Sequence, residues 1–167
     1  TGMGAVTVKY DGKTSGPVPV GAYAVTFDVA EGENYTAASG LVIGTLKIVK
    51  GTFTGEKKCA ASVKYAEEGS ADLSTLTLPE GYSLGSPSVV SNAAVFRILP
   101  TLDGLTLRFA LADARANAGK TAIVRIPVNS TNYEQFELEV SVLVLDKISQ
   151  DITAADVFAV YGDTGLR

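Results

Sequence analysis

The chain has 167 residues, 46% of them hydrophobic, and a net charge of −4, which suits one or two small domains with buried cores and not a disordered segment. No long basic run offers a footprint for nucleic acid, and the longest apolar stretch, Val140 to Leu145, is broken by Ser141 and falls far short of the roughly 20 residues that span a bilayer. One cysteine and no histidine exclude an internal disulfide and remove the commonest general base and transition-metal ligand.

In chain order, alternating apolar residues predict strands near Ala5 to Tyr10, Ala22 to Val29 and Leu41 to Val49. Asp11-Gly12, Ser15-Gly16-Pro17 and Val18-Pro19 break the first connection, because glycine accepts positive φ and proline cannot donate to a ladder. The second connection holds Glu31-Gly32-Glu33-Asn34. Further strands are expected near Lys57 to Tyr65, Ser88 to Ser91, Ala94 to Leu99, Leu105 to Ala110, Thr121 to Val128 and Phe136 to Leu145. Leu78-Pro79-Glu80-Gly81 reads as a loop, and the Ala-rich segment Leu111 to Ala118 as a loop or a single helical turn.

The strands repeat. Asn34-Tyr35 returns as Asn132-Tyr133, 98 positions on, each between two alternating runs. An offset of 99 carries Tyr23, Val25, Phe27 and Val29 onto Ala122, Val124, Ile126 and Val128, and Thr7 to Tyr10 onto Thr106 to Phe109. Downstream the offset is 98, so that Val42, Gly44 and Leu46 fall on Val140, Val142 and Val144. The missing residue lies in the connector, where length changes are tolerated, and strand parity survives on both sides. Tyr161 likewise echoes Tyr65. These offsets divide the chain into the C-terminal half of a β module over 1–49, a complete β-sandwich over 50–147 and the start of a third module over 148–167. The chain reads as a slice through a longer array, with residues 1–49 either loosely held or packed on the complete module. The fold class expected is all-β, as immunoglobulin-like sandwich repeats.

Parts for catalysis are hard to find. Glu137 and Glu139 lie on one strand face opposite Leu138 and Val140, the pattern of a solvated face, and Glu67-Glu68 is the other close acidic set. Asp11-Gly12 and Gly162-Asp163 lack the alternating oxygen ligands and closing glutamate of a calcium loop. Cys59 has no partner base and reads as a small, buried or half-buried strand residue. Of the seven tyrosines, Tyr10 and Tyr23 fall on strands and Tyr35 and Tyr133 after connectors, where a ring packs and its hydroxyl meets a loop carbonyl. Tyr82, in a loop, is the least explained. A spontaneous Lys to Asn crosslink needs a lysine, one of Asn92, Asn117, Asn129 or Asn132, and a buried acid brought together, which sequence alone does not do. No catalytic, cofactor-binding or metal-binding residue is assigned, no cofactor is expected, and ligand-binding residues stay unassigned.

At its connectors the chain resembles the MBG-type repeat, mostly β and glycine-rich, found in tandem in large bacterial surface proteins. The residues that carry this are VTVKYDG over Val6 to Gly12, GAYAVTF over Gly21 to Phe27, Glu33-Asn34-Tyr35 and Leu46-Lys47-Ile48. The second unit matches more loosely, keeping Asn117-Ala118-Gly119 and Thr131-Asn132-Tyr133 but carrying Lys120-Thr121 where the pattern has a tyrosine. Tyr161-Gly162-Asp163 is similar to the opening strand of a related repeat. The resemblance implies an extracellular, immunoglobulin-like module of an adhesin or other surface-anchored or secreted bacterial protein, with no catalytic residues. The expected role is a non-catalytic spacer or adhesive stalk. Its partners would be neighbouring modules of the same chain and, as ligand, an extracellular glycan or protein, without nucleic acid or membrane insertion. The alternative is a carbohydrate-binding accessory module of a secreted polysaccharide-degrading enzyme.

Overall fold

Three antiparallel strands open the chain in the computed structural model, which describes residues 2–148. They are β1 (Val6–Tyr10), β2 (Gly21–Val29) and β3 (Ala38–Ile48), in the order β1-β2-β3. Asp11 and Gly12 both take positive φ, 45° and 78°, and Tyr10 and Lys13 exchange backbone hydrogen bonds of 2.7 and 3.0 Å around them. This is the geometry of a two-residue turn whose twist matches a hairpin, and it is why Asp-Gly stands there. Val6, Val8 and Tyr10 lie opposite Val29, Phe27 and Val25, so the apolar residues of β1 and β2 share a face. On the other face Lys9 forms an ion pair with Asp28, whose carboxylate also accepts the Gly40 N–H at 2.8 Å.

The remaining strands build a sandwich. β4 (Lys58–Lys64), β11 (Phe136–Leu145), β10 (Thr121–Asn129) and the edge pieces β6 (Ser83–Leu84) and β7 (Ser88–Ser91) make one sheet. β5 (Glu68–Asp72), β9 (Thr106–Leu111) and β8 (Phe96–Asp103) make the other. β4 runs parallel to β11 and the other pairings are antiparallel. Strands 2, 5 and 4 of an immunoglobulin-like order thus face strands 3, 6 and 7, with the first strand lying along the last. Pro127 explains the broken edge. It accepts the Gly85 N–H at 2.7 Å but has none to return, so pairing lapses after Leu84 and resumes at Ser88.

Alternation drives the core. Ala122, Val124, Ile126 and Val128 of β10 and Leu138, Val140, Val142 and Val144 of β11 are all 0–1% exposed, facing Ala71, Phe96, Leu107, Phe109 and Leu111 of the opposite sheet. Phe96 and Phe109 meet edge to face with centroids 5.6 Å apart. Each such side chain contributes roughly 1.5–3 kcal/mol by leaving water.

Several expectations need correcting. β5, with sequence EGSAD, shows no apolar alternation and was not foreseen; only Ala71 points into the core. Its Gly69 is required by space, since a Cβ there would lie 2.5 Å from Val63 and 2.7 Å from the Phe109 ring. The strand expected at Ala94 begins at Phe96, after a 3-10 turn over Ala93–Val95. Arg115–Asn117 is the single helical turn expected within Leu111 to Ala118.

The repeat holds for one hairpin and fails for its neighbour. Val29 pairs with Ala38 as Val128 pairs with Phe136, so both Asn-Tyr connectors close equivalent hairpins. Away from the connector, β3 takes up two extra residues in bulges, one around Gly40 at φ 69° and one at Ile43, whereas β10 and β11 stay in one register; the expected parity therefore breaks, since Val42 lies opposite Thr26 on the outer face and Leu41, opposite Phe27, takes the apolar face that Gly44 and Leu46 share. β1, matched in sequence to β9, does not share its place. β9 lies in the sheet facing β10, while β1 pairs with β2 along the edge that β6 and β7 hold on β10. Without a facing sheet among the described residues, β1 takes its backbone hydrogen bonds from β2. The expected third module lies outside the described residues from 149 onward.

Candidate interaction site at the joint between the units

The short linker Val49-Lys50-Gly51 brings the first sheet to the connector end of the sandwich. Gly51 donates its N–H to the Asn132 carbonyl at 3.0 Å and accepts the Glu134 N–H at 2.8 Å, straddling Tyr133 as a parallel bridge. The next aromatic, Phe53, is buried, stacks on Phe136 at 4.4 Å and 15°, and meets Tyr133 edge-on at 5.7 Å. Gly55 lets the chain fold back here, because a Cβ would stand 2.4 Å from the Phe53 ring. The Lys57 ammonium lies 6.0 and 5.7 Å from the Phe53 and Phe136 ring centres, within cation–π range. Glu56 accepts the N–H groups of Lys58 and Lys57 at 2.8 and 2.9 Å, which holds its carboxyl below the ordinary range and aims the chain into β4.

One contact then reaches across from the first unit and one from the linker. The Val20 N–H donates to Asn132 Oδ1 at 3.0 Å, and the Lys50 ammonium donates to the Ser130 carbonyl at 3.0 Å. Ser130 is itself buried, and its hydroxyl accepts the Asn132 N–H at 3.4 Å. One hydrogen bond is worth only about 0.5–1.5 kcal/mol net, but a short tether raises the local concentration of the partner loop to the millimolar range or above. The aromatic clip of Phe53, Phe136 and Tyr133 fixes the linker's exit inside the sandwich, and the asparagine orients the first sheet on it through the Val20 N–H.

The other residues singled out in the sequence do not converge. Glu137 and Glu139 point outward from β11 and face Arg125 at 3.5 Å and Lys58 at 3.6 Å, a cross-strand ladder of charges on a solvated face. Glu67 and Glu68 are exposed. Cys59 is half-buried on β4, its sulfur 3.6 Å from the Asp72 carbonyl. Lys120 does meet Asn117, Nζ to Oδ1 at 3.0 Å, but from the same loop, and no carboxylate bonds to either among the described residues. Asn92 caps the Thr121 carbonyl at 2.7 Å, and Asn129 ends β10 exposed.

Among the described tyrosines, Tyr10, Tyr23, Tyr65 and Tyr133 are half-buried, while Tyr35 and Tyr82 are exposed and belong to different units. The Tyr23 hydroxyl donates to the Pro19 carbonyl at 2.8 Å, the strand-end contact expected of it. Tyr65 lies under the Lys147 ammonium at 4.9 Å. Tyr161 and Gly162-Asp163 lie outside the described residues. Among the described residues no three His, Cys, Asp or Glu side chains gather as metal ligands, and no helix is long and apolar enough to cross a membrane.

Sequence reasoning found Asn132 and Tyr133 through the repeat but passed over Phe53, Ser130 and Val20. Phe53 carried a signal, a lone aromatic between Gly51 and Gly55 in an otherwise polar linker. Val20 carried none, because it takes part through its backbone. Comparison with known proteins finds no matching family model, no matching curated protein and no matching solved structure.

Proposed function

We propose that this chain is a non-catalytic structural and adhesive segment of a large, extracellular bacterial surface protein, built from modules of the mostly-β, glycine-rich repeat kind. The joint carries the reading. A connector that recurs in sequence is used, at Asn132-Tyr133, to seat the linker and loop of the preceding unit, which turns a string of sheets into a semi-rigid rod whose length scales with copy number. Weak contacts repeated along such a rod sum by avidity.

The alternative, a carbohydrate-binding accessory module, calls for a row of coplanar exposed rings. The separation of Tyr35 from Tyr82 on different units favours the spacer. The test is a glycan array followed by calorimetry, together with small-angle scattering of the whole chain. An extended particle of defined length and a silent array are the expected results. Saturable binding to a defined polysaccharide would move the assignment to the accessory module, and turnover of any substrate would overturn the non-catalytic reading.

A further inference from the structure

Edges are where a sheet can take another strand, and those of the sandwich are blunted. β4 carries Lys58 and Lys64, β5 is five residues long with Glu68 and Asp72, β8 holds register shifts and Pro100, and the short pieces β6 and β7 are parted by Pro87. β3 has less protection. It runs eleven residues with Lys47 as its one charge, and among the described residues it pairs on one side only, with β2. Nine successive residues, 39–47, are exposed. Past the bulges, Gly44 to Ile48 keep one register with Val25 to Gly21, an unbroken run with its outer side open.

The sandwich shows what fits such an edge. Tyr23 and Val25 pair with Leu46 and Gly44 as their matched residues Ala122 and Val124 pair with Val142 and Val140. On β11 that run is covered by β4 in parallel, with Cys59, Ala61 and Val63 opposite Val140, Val142 and Val144 and packed against the core. The chain holds a second segment of this pattern. The interval of 96 positions that carries Tyr65 onto Tyr161 also carries Cys59, Ala61 and Val63 onto Ala155, Val157 and Ala159, small apolar residues at every second position. These residues lie outside the described ones. Set on β3 in the register of β4 on β11, they would extend the apolar face of Tyr23, Val25 and Leu46. Asp156 would then stand opposite Thr45 and diagonal to Lys47, which forms no ion pair among the described residues.

We infer that the free edge of β3 takes residues 154–161 of a second copy of this chain as a parallel strand, with Ala155 opposite Gly44 and Val157 opposite Leu46. The geometry calls for a second copy because β11 carries the chain away from the joint. Phe136 stacks on Phe53 there, and Leu145, at the far end of a ten-residue strand, is roughly 30 Å off at about 3.4 Å per residue. The stretch from Leu145 to Ala155 reaches at most about 35 Å, and little of that remains after the return along the sandwich. Gly44 lies further still, paired with Val25 five residues beyond the Val20 contact. Each copy thus gives one strand and receives one at separate places, a head-to-tail contact that grows without closing. Strand addition of this kind goes beyond the proposed role and stands without it.

The test is sedimentation velocity of the full chain from micromolar to millimolar concentration, with amide exchange of β3 read by NMR on the same samples. Growth with concentration is expected, together with added protection of the amides of residues 44–48. Val157→Asp, which sets an unpaired carboxylate against the apolar face, should weaken association about tenfold. Lys47→Asp and Asp156→Lys should each weaken it about 2–5 times, and the two together should restore it. A chain that stays monomeric throughout overturns the inference, and so does growth that Val157→Asp leaves unchanged. Protection of β3 that is lost in Val157→Asp yet does not vary with concentration would put the strand on its own chain and overturn the second copy. Lys47 is exposed, and Asp156 and Val157 belong to none of the described strands, so the variants keep the fold; unchanged exchange in β10 and β11 checks this.

Discussion

The hairpins β2-β3 and β10-β11 are written in nearly the same alternation, and they end in opposite states. Every inward residue of β10 and β11 from Ala122 to Val128 and from Leu138 to Val144 is shut away from water, whereas among residues 2–49 none is fully buried and Val6, Val8, Leu41 and Leu46 stay 37–49% exposed. The difference is the facing sheet β5-β9-β8, which covers one hairpin and has no counterpart over the other among the described residues. Alternation selects which face is apolar; a second layer decides whether that face becomes a core.

The sharpest way to break this comparison is to truncate matched residues. Ile126→Ala should destabilise the sandwich by about 2–5 kcal/mol, since it empties a fully buried site. Its repeat partner Phe27→Ala should cost about 1 kcal/mol, because that ring is half-exposed already. Urea unfolding followed by circular dichroism separates the two. An equal loss would mean that the first face is covered in solution.

Phe53→Ala comes next, at about 2–4 kcal/mol, for it removes the ring on which Phe136 stacks and Tyr133 leans. Fluorescence quenching of Tyr133, with the other tyrosines replaced in turn by phenylalanine, should report its release; an unmoved Tyr133 would deny the aromatic clip. Gly40→Ala should cost about 1–2 kcal/mol in the first unit alone, since a Cβ at φ 69° crowds its own carbonyl. Exchange of the β3 amides measures it, and no change would show that the bulge relaxes.

The smallest effect is one of pH. Lys9 and the Gly40 N–H hold the Asp28 carboxyl below its unfolded value of about 3.9. A lowered folded value means that the stabilisation is present above the unfolded value and is lost as pH falls through the folded one. The β1–β3 amides should therefore lose protection in acid, and Asp28→Asn should abolish that part of the dependence. Asp72, held low by the Ser74 N–H, shifts in the same direction but reports from the sandwich, so the two units can be read separately.

How much was legible follows the strength of the local signal. β10 and β11 announce themselves because both keep a strict period of two over nine and ten residues. β5 does not, since an outer strand of Glu, Gly, Ser, Ala and Asp is held by its pairing to β9 and not by its own apolar content. Of the joint, the half made by the asparagine and tyrosine side chains could be found by self-comparison. The half made by the Val20 N–H and the Gly51 backbone could not, because every residue but proline carries those groups.

Taken alone, the sequence determined the all-β class, the inward faces of β2, β10 and β11, the recurrence of the Asn-Tyr hairpin and the tight Asp11-Gly12 turn, all of them consequences of local sterics and side-chain period. Only the tertiary structure decided which strands face one another, that β1 takes an edge of β2 instead of the place of β9, and that one corner is filled while its twin is open. Strand pairing and layer packing join residues far apart in the chain, and the backbone groups that bind them are the same at every position, so no local pattern can encode the choice.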